Sequence, residues 1–152
     1  MPPNTQDILY YREPWTRVVE KIVLLQLKKA YKEDRWFPQN DYWNKICLDE
    51  VRDELSGRPF FLNYITQHQY NLKYVEWKVR HLQFKMLLEN FTVWYDEDSN
   101  TVYAAQETWD LISRRYPDMM CYNPEGEENW AILKELYDEP DTTTSESSAN
   151  DE

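Results

Sequence analysis

An uninterrupted helical pattern of apolar and polar residues runs from Thr66 to Leu88, with no Gly or Pro inside it. Its aromatic and large apolar positions follow steps of three and four, which places them on one face of an α-helix. These positions are Tyr70, Tyr74, Trp77, His81, Phe84 and Leu88. The aliphatic positions expected to widen this face are Val75, Val79, Leu82 and Met86. The pattern predicts a long helix around which the fold is organised.

Four positively charged residues lie between the apolar rows of this segment, against one acid, Glu76. The bases are Lys73, Lys78, Arg80 and Lys85. This arrangement predicts a helix with a basic outer face of net charge +3. Such a face is either a solvated surface or a surface presented to nucleic acid.

Two amphipathic helices are predicted before this segment, over residues 14–31 and 40–55, with Thr16 and Asn40 (or Asp41) as helix caps. The loop between them contains Trp36 and Phe37, followed by Pro38. These two aromatics either plug the core from the loop or form a contact surface. Residues 60–65 are predicted to be an apolar connector into the third helix.

Residues 91–104 favour a short β-hairpin, because β-branched and aromatic residues flank a polar turn. A fourth helix is predicted over 105–115, a connector over 119–126 and a short fifth helix over 128–137. The fifth helix has an apolar face with Trp130 that either docks back or binds a partner. The acidic, low-complexity residues 138–152 are predicted to be disordered.

The net charge of −11 over 152 residues is unevenly distributed. Residues 1–88 carry 14 bases and 11 acids, whereas residues 89–152 carry 3 bases and 17 acids. The first part could meet phosphates, and the second would repel them or attract a basic partner. Two cysteines are too few for a disulfide framework and indicate a reducing compartment, with Cys47 as a buried free thiol. The sequence predicts neither a signal peptide nor a membrane span.

The three predicted helices carry motifs that resemble the Myb/SANT family. Thr66-x-x-Gln69-x-x-x-Lys73-Tyr74 has the spacing of its third helix, T-x-x-Q-x-x-x-R-W. Trp15-Thr16 is similar to the W-T that opens its first helix, and Trp43-x-x-Ile46 to the W-x-x-I of its second. Leu72 stands where the family usually has Asn.

The segments after Leu88 resemble more narrowly the plant-type Myb/SANT-like domain, which includes Myb-like proteins linked to harbinger-type transposons. The matching segments, in order, are residues 91–96, residues 100–104, Trp109, and Tyr116-Pro117-Asp118. The resemblance covers residues 12–137. Residues 1–11 are predicted to be a lead-in and 138–152 a tail.

The resemblance implies an all-α fold, a three-helix helix-turn-helix bundle with a small hairpin and one or two extra C-terminal helices. It also implies structural aromatic anchors at Trp15, Trp43, Tyr74, Trp77, Trp94 and Trp109. On this basis the third helix would enter the major groove of DNA in the nucleus. The residues predicted to contact DNA are Gln69, Asn71, Lys73, Lys78, Arg80 and Lys85.

The first functional hypothesis is a DNA-binding or adaptor module that also recruits a protein. The alternative is a SANT-type interaction module that binds a histone tail, a transposase-like nuclease or a chromatin factor without contacting DNA. The residues predicted to meet a partner are Trp36, Phe37 and Trp130. No nucleophile, acid–base pair, metal-ligand spacing or phosphate loop predicts an enzyme, a cofactor or a small-molecule substrate.

Overall fold

The computed structural model describes residues 5–58 and 65–138. The chain is mostly helical (66% helix) and has a small two-stranded antiparallel sheet. In chain order the elements are α1 (Thr5–Leu9), α2 (Arg17–Lys32), α3 (Asp41–Ser56), α4 (Gln67–Asn90), β1 (Trp94–Asp96), β2 (Thr101–Tyr103), α5 (Gln106–Arg115), the 3-10 helix (Pro117–Tyr122) and α6 (Trp130–Tyr137). No helix in this part of the chain is long and apolar enough to span a membrane.

The predicted starts of α2, α3 and α4 are confirmed. The Thr16 hydroxyl accepts from the Val19 amide and the Asn40 side chain from the Trp43 amide. At Thr66 the structure has a full capping box, in which Thr66 and Gln69 each accept from the other's backbone amide. These caps satisfy amides that have no partner inside the helix, so the starts are fixed by local chemistry.

Helix α4 is the centre of the packing and contacts α3, α6 and the 3-10 helix. Its aromatic face is buried as predicted, from Tyr70 through Trp77 to Phe84. Short helix α6 contacts both α2 and α4. It therefore contributes to the same core as the three long helices.

The prediction that aliphatic residues widen the core face of α4 was wrong at three positions. Val75, Val79 and Leu82 are exposed, and only Met86 packs against the core. Helical phase explains the error, since Val79 lies about 200° around the helix from Trp77, on the side away from the core. Arg80 lies only about 60° from Trp77 and is buried.

The N-terminal segment packs on the domain. Gln6 of α1 is buried, and its side-chain amide donates to the carbonyls of Cys121 and Gly126. Tyr11 is buried as well. The residues predicted as a polar lead-in thus cover the C-terminal part of the fold.

The predicted hairpin is present and is held by the segment that precedes α6. Trp94 pairs with Tyr103 and Asp96 with Thr101. The Val102 amide donates to the Pro124 carbonyl at 2.7 Å, and the Gly126 amide donates to the Asn100 carbonyl at 3.0 Å. A two-stranded hairpin is marginal alone, so these contacts give it the extra support it needs.

The C-terminal elements differ from prediction mainly in the connector, where the chain forms the 3-10 helix over Pro117–Tyr122. Helix α6 docks back on the core, with Trp130, Leu133 and Tyr137 buried. Apart from Ile65 and Asp138, the predicted connector at 60–65 and the predicted acidic tail lie outside the described residues.

Gly126 permits a close approach between the segment that precedes α6 and the hairpin. A Cβ at Gly126 would lie 2.4 Å from Tyr95 Cε1 and 2.7 Å from Asn100 Oδ1. Because both neighbours are held by hydrogen bonds, Gly126→Ala should lower the unfolding free energy by about 1–3 kcal/mol in urea titrations. Gly57→Ala is the matched control, since its Cβ would meet no atom within 4 Å. Equal stability of the two variants would contradict this account.

Candidate functional site

The residues predicted to contact DNA do not form one exposed basic face on α4. Gln69 is part of the capping box, and Asn71 is half-buried. Lys73 and Arg80 are buried. Lys78 and Lys85 are partly exposed, the first 3.2 Å from Asp41 and the second 3.7 Å from Asp138. The expected outer basic face was therefore wrong at two of its four bases.

Arg80 lies at the centre of a buried ionic cluster. Its guanidinium bonds both oxygens of Glu20, at 2.8 and 2.9 Å, and both oxygens of Glu127, at 3.1 and 2.6 Å. It also donates to Glu76 at 3.2 Å and to the Tyr11 hydroxyl at 3.0 Å. All the polar hydrogens of the side chain are directed at acceptors inside the protein, so Arg80 has no donor left for a phosphate.

Lys73 belongs to the same cluster. Its ammonium lies 2.9 Å from Glu76 and 3.4 Å from Glu20, and it donates to the Tyr10 carbonyl at 2.8 Å. The cluster thus contains two bases and three acids. Its chemistry is that of internal charge compensation, because burying either base without acids would be strongly unfavourable.

The cluster shifts the ionisation of Glu20. Burial by itself would raise the pKa of this carboxyl, but the Arg80 charge and hydrogen bonds, together with Lys73, lower it from 4.5 to about 2. Burial also tends to lower the pKa of Arg80, whereas Glu127 and Glu20 raise it well above its usual value. Both residues are consequently charged at neutral pH.

The predicted aromatic anchors fall into two groups. Trp15, Tyr74, Trp77 and Trp109 are buried, and Trp15 makes edge contacts with Tyr70 and Trp77 at centroid distances of 5.2 and 5.8 Å. Trp43 and Trp94 are exposed, so their prediction as core anchors was wrong. Trp94 stacks on exposed Tyr103 across the hairpin, 5.2 Å between centroids.

Two of the three residues predicted to meet a partner lie inside the core. Trp36 is buried, donates from Nε1 to the Leu136 carbonyl at 2.7 Å and contacts the rings of Tyr74 and Tyr137. Trp130 is buried against His81 and Phe84. Their burial removes the surface that a partner would contact. In both cases the other interpretation of the sequence, a core plug or a docked helix, is confirmed.

Phe37, the third of these residues, is exposed at the edge of a groove between the α2–α3 loop and α3. This groove, called here the aromatic groove, has a volume of about 490 Å³. It is lined by Asp34, Arg35, Phe37, Asn40, Trp43, Ile46, Cys47 and Glu50. Trp43 is 51% exposed there, and Ile46 is exposed beside it.

The loop that carries Phe37 is held at several points. Buried Asn44 accepts from the Phe37 amide and donates to the Phe37 carbonyl, both at 2.9 Å. Gln39, with φ of 70°, donates to the Tyr137 carbonyl at 2.7 Å. With neighbouring Trp36 fixed in the core, Phe37 is held on the outer side of the loop.

Sequence reasoning missed Trp43 and Ile46 as surface residues, although the phase of α3 contains the signal. The buried positions of this helix are Asn44, Cys47, Leu48, Val51 and Leu55. Residues seven apart lie on nearly the same side of a helix, so Trp43 shares its side with Glu50. Leu48 and Leu55 form the corresponding row on the side that faces the core. An acid in the same row marks the Trp43 side as solvent-facing.

Other chemistry is limited in the described residues. Burial raises the pKa of the Cys47 and Cys121 thiols to about 11, so neither is an activated nucleophile. Within residues 5–58 and 65–138, no group of three or more His, Cys, Asp or Glu residues is placed to hold a metal ion. The chain matches no known family profile, no curated protein and no solved structure.

The ionisation of Glu20 gives the protein an acid-sensitive core. A carboxyl whose pKa is lowered by folding stabilises the protein above its unfolded pKa, near 4.5 here. This stabilisation is lost as the pH falls from there toward 2, and for Glu20 the loss should be on the order of 3 kcal/mol. Urea titrations between pH 7 and pH 2.5 should show a smaller decline in Glu20→Gln than in the exposed control Glu89→Gln. Parallel curves for the two variants would argue against the cluster.

Removing the central base should be more damaging than removing one acid. Arg80→Met leaves the buried carboxylates of Glu20 and Glu127 facing each other, at an expected loss of about 3–5 kcal/mol in unfolding free energy. Adding Glu20→Gln and Glu127→Gln to the same variant should restore a large part of this loss. A triple variant no more stable than Arg80→Met would show that shape, rather than charge, sets the requirement.

Proposed function

We propose that this protein is a protein-interaction module and that the aromatic groove is its binding site. The observation that carries the proposal is the exposure of Phe37, Trp43 and Ile46 around a single groove. Aromatic residues are enriched at binding hot spots, since they contribute large contact areas at low conformational cost. A groove of about 490 Å³ is large enough for an apolar side chain and its neighbours.

The groove supports binding because its walls are already in place. Asn44 holds the backbone of Phe37, and the Asn40 side chain caps α3 at Trp43. A partner would therefore order few residues of this protein when it binds. Pre-organisation of this kind favours affinity by reducing the entropy lost on association.

The charges around the groove favour a basic partner segment. Residues 33–56 carry seven acids and three bases. Arg35, on the groove wall, is already bonded to Glu33 at 2.9 Å and to Glu50 at 3.0 Å. The partner we propose is an extended or helical segment with an apolar anchor, flanked by Lys or Arg.

The Myb/SANT-like resemblance adds the cellular context to this proposal. We take α2, α3 and α4 as the three helices of that bundle, a view supported by the contacts of Trp15 with Tyr70 and Trp77. By the same resemblance the partner would be a histone tail, a chromatin factor or a transposase-like nuclease in the nucleus. DNA binding through α4 is less favoured, because Lys73 and Arg80 are engaged in the buried cluster.

The proposal can be tested by selecting peptides from a random library on the full-length chain. We expect enrichment of peptides with an apolar anchor between Lys or Arg residues. In fluorescence anisotropy, Trp43→Ala should weaken the affinity for the selected peptide by about 30-fold, which is the effect of losing a hot-spot residue that contributes about 2 kcal/mol to binding. The matched control is Trp94→Ala, which removes an exposed Trp outside the groove and should leave affinity unchanged.

The same assay tests the nucleic-acid hypothesis directly. Duplex DNA is titrated into the full chain at low and high salt, with Lys78→Ala/Lys85→Ala as the comparison variant. We expect the full chain to show no strong binding to duplex DNA at either salt concentration. If duplex DNA binds with a steep salt dependence that the double variant abolishes, while no peptide is enriched, α4 is a DNA-binding surface and our proposal fails.

A further inference from the structure

Helix α4 has a second apolar face, on the side opposite the core. Leu72, Val75, Val79 and Leu82 are each between 43% and 57% exposed. We call these four residues the outer stripe. A surface helix normally has a polar outer face, and a helix that is apolar on all sides is normally covered on all sides. Among residues 5–58 and 65–138, no element covers the outer stripe.

The spacing of the outer stripe is that of a coiled-coil seam. Its members are separated by three, four and three residues. Alternating steps of three and four produce the a and d positions of a heptad, whose side chains pack against another helix as knobs into holes. The Leu and Val residues present are the types that fill such positions.

The apolar surface extends beyond α4 onto α1. Leu9 is exposed and lines one shallow hollow with Leu72 and another with Val79. The five aliphatic side chains form a patch on the order of a few hundred Å², comparable with the largest patch that a typical monomer exposes, which is often functional.

One border of the outer stripe carries mainly lysines, and the other carries mainly acids. Lys78 and Lys85 lie about 100° and 80° from Trp77 in one direction, and Glu76 lies about 100° in the other. Glu13 and Asp118 line the hollows on the Glu76 side, together with the base Arg12. The lysines lie 3.2 Å from Asp41 and 3.7 Å from Asp138, and an ammonium has three donors, so each can contact a further acid.

We propose that a second copy of this chain covers the outer stripe, with the two α4 helices parallel about a two-fold axis that runs along them. This symmetry places the basic border of each copy beside the acidic border of the other. An antiparallel pair would place lysines beside lysines and acids beside acids, which is unfavourable. The inference uses no residue of the aromatic groove and is independent of the proposed function.

The parallel arrangement makes a specific geometric prediction. About an axis parallel to the helices, each residue of the outer stripe meets the same residue of the other copy. An antiparallel pair would instead bring Leu72 of one copy near Leu82 of the other. Variants with one added cysteine, Leu72→Cys and Leu82→Cys, distinguish the parallel pair from the antiparallel pair, since the native Cys47 and Cys121 are both buried.

Sedimentation velocity on the full chain should show a species of twice 18.6 kDa. The fraction of this dimer should rise as the protein concentration is raised into the micromolar range. Leu72→Glu/Leu82→Glu should lose this species entirely. Leu25→Glu, on exposed α2 surface, is the matched control and should keep it. Circular dichroism melting verifies that all variants are folded. Under mild oxidation, Leu72→Cys and Leu82→Cys should each form a disulfide-linked dimer when the other variant is absent.

Three outcomes would overturn the proposal. The first is a monomer at every concentration, and the second is a dimer that survives Leu72→Glu/Leu82→Glu. The third is cross-linking only in a mixture of Leu72→Cys and Leu82→Cys, which indicates an antiparallel pair. A monomer whose outer stripe is covered by another protein falls under the first outcome, because the proposal names a second copy of this chain.

Discussion

The buried guanidinium of Arg80 constrains the whole assembly. Its charge is compensated by Glu20 from α2 and Glu127 from the segment before α6, each through two hydrogen bonds. The rings of Tyr10 and Tyr11 in the N-terminal segment cover the guanidinium, with their centroids 4.5 and 5.4 Å from the Arg80 Cζ atom. If α2, α4 or the C-terminal segment were absent, a charge would remain buried without its partners. The long helices and the C-terminal part therefore depend on one another, although they are distant in sequence.

The same core determines which surfaces stay open. Trp36 enters the core against Tyr74 and Tyr137, so the next residue, Phe37, lies on the outside of the loop. Asn44 fixes the loop backbone, and Trp43 lies on the other side of the same helix turn. The contacts of α4 with α3, α6 and the 3-10 helix involve its aromatic face and leave the outer stripe free. Both apolar surfaces are thus consequences of how the core is filled.

Several predicted elements depend on short-range chemistry, and these were confirmed. The Thr16, Asn40 and Thr66 caps and the hairpin at 91–104 agree with the structure to within a few residues. The errors concern direction around an axis. Charge was taken as a sign of exposure at Lys73 and Arg80, and aromatic or aliphatic character as a sign of burial at Trp43, Trp94 and Val79. At each of these positions the direction in which the side chain leaves the helix or strand, rather than the residue type, decides burial.

The sequence by itself determined where the three long helices and the hairpin begin, because caps, turns and apolar periodicity act within about one turn of the chain. It also determined that the aromatic row of α4 faces the core. Only the tertiary structure decided that Arg80 is buried, since Glu20 and Glu127, the two buried acids that each accept two of its hydrogen bonds, lie 60 and 47 positions away in the chain. It likewise decided that Phe37 and the outer stripe remain exposed. The physical reason is that compensation of a buried charge and coverage of an apolar face require groups that only the folded chain brings together.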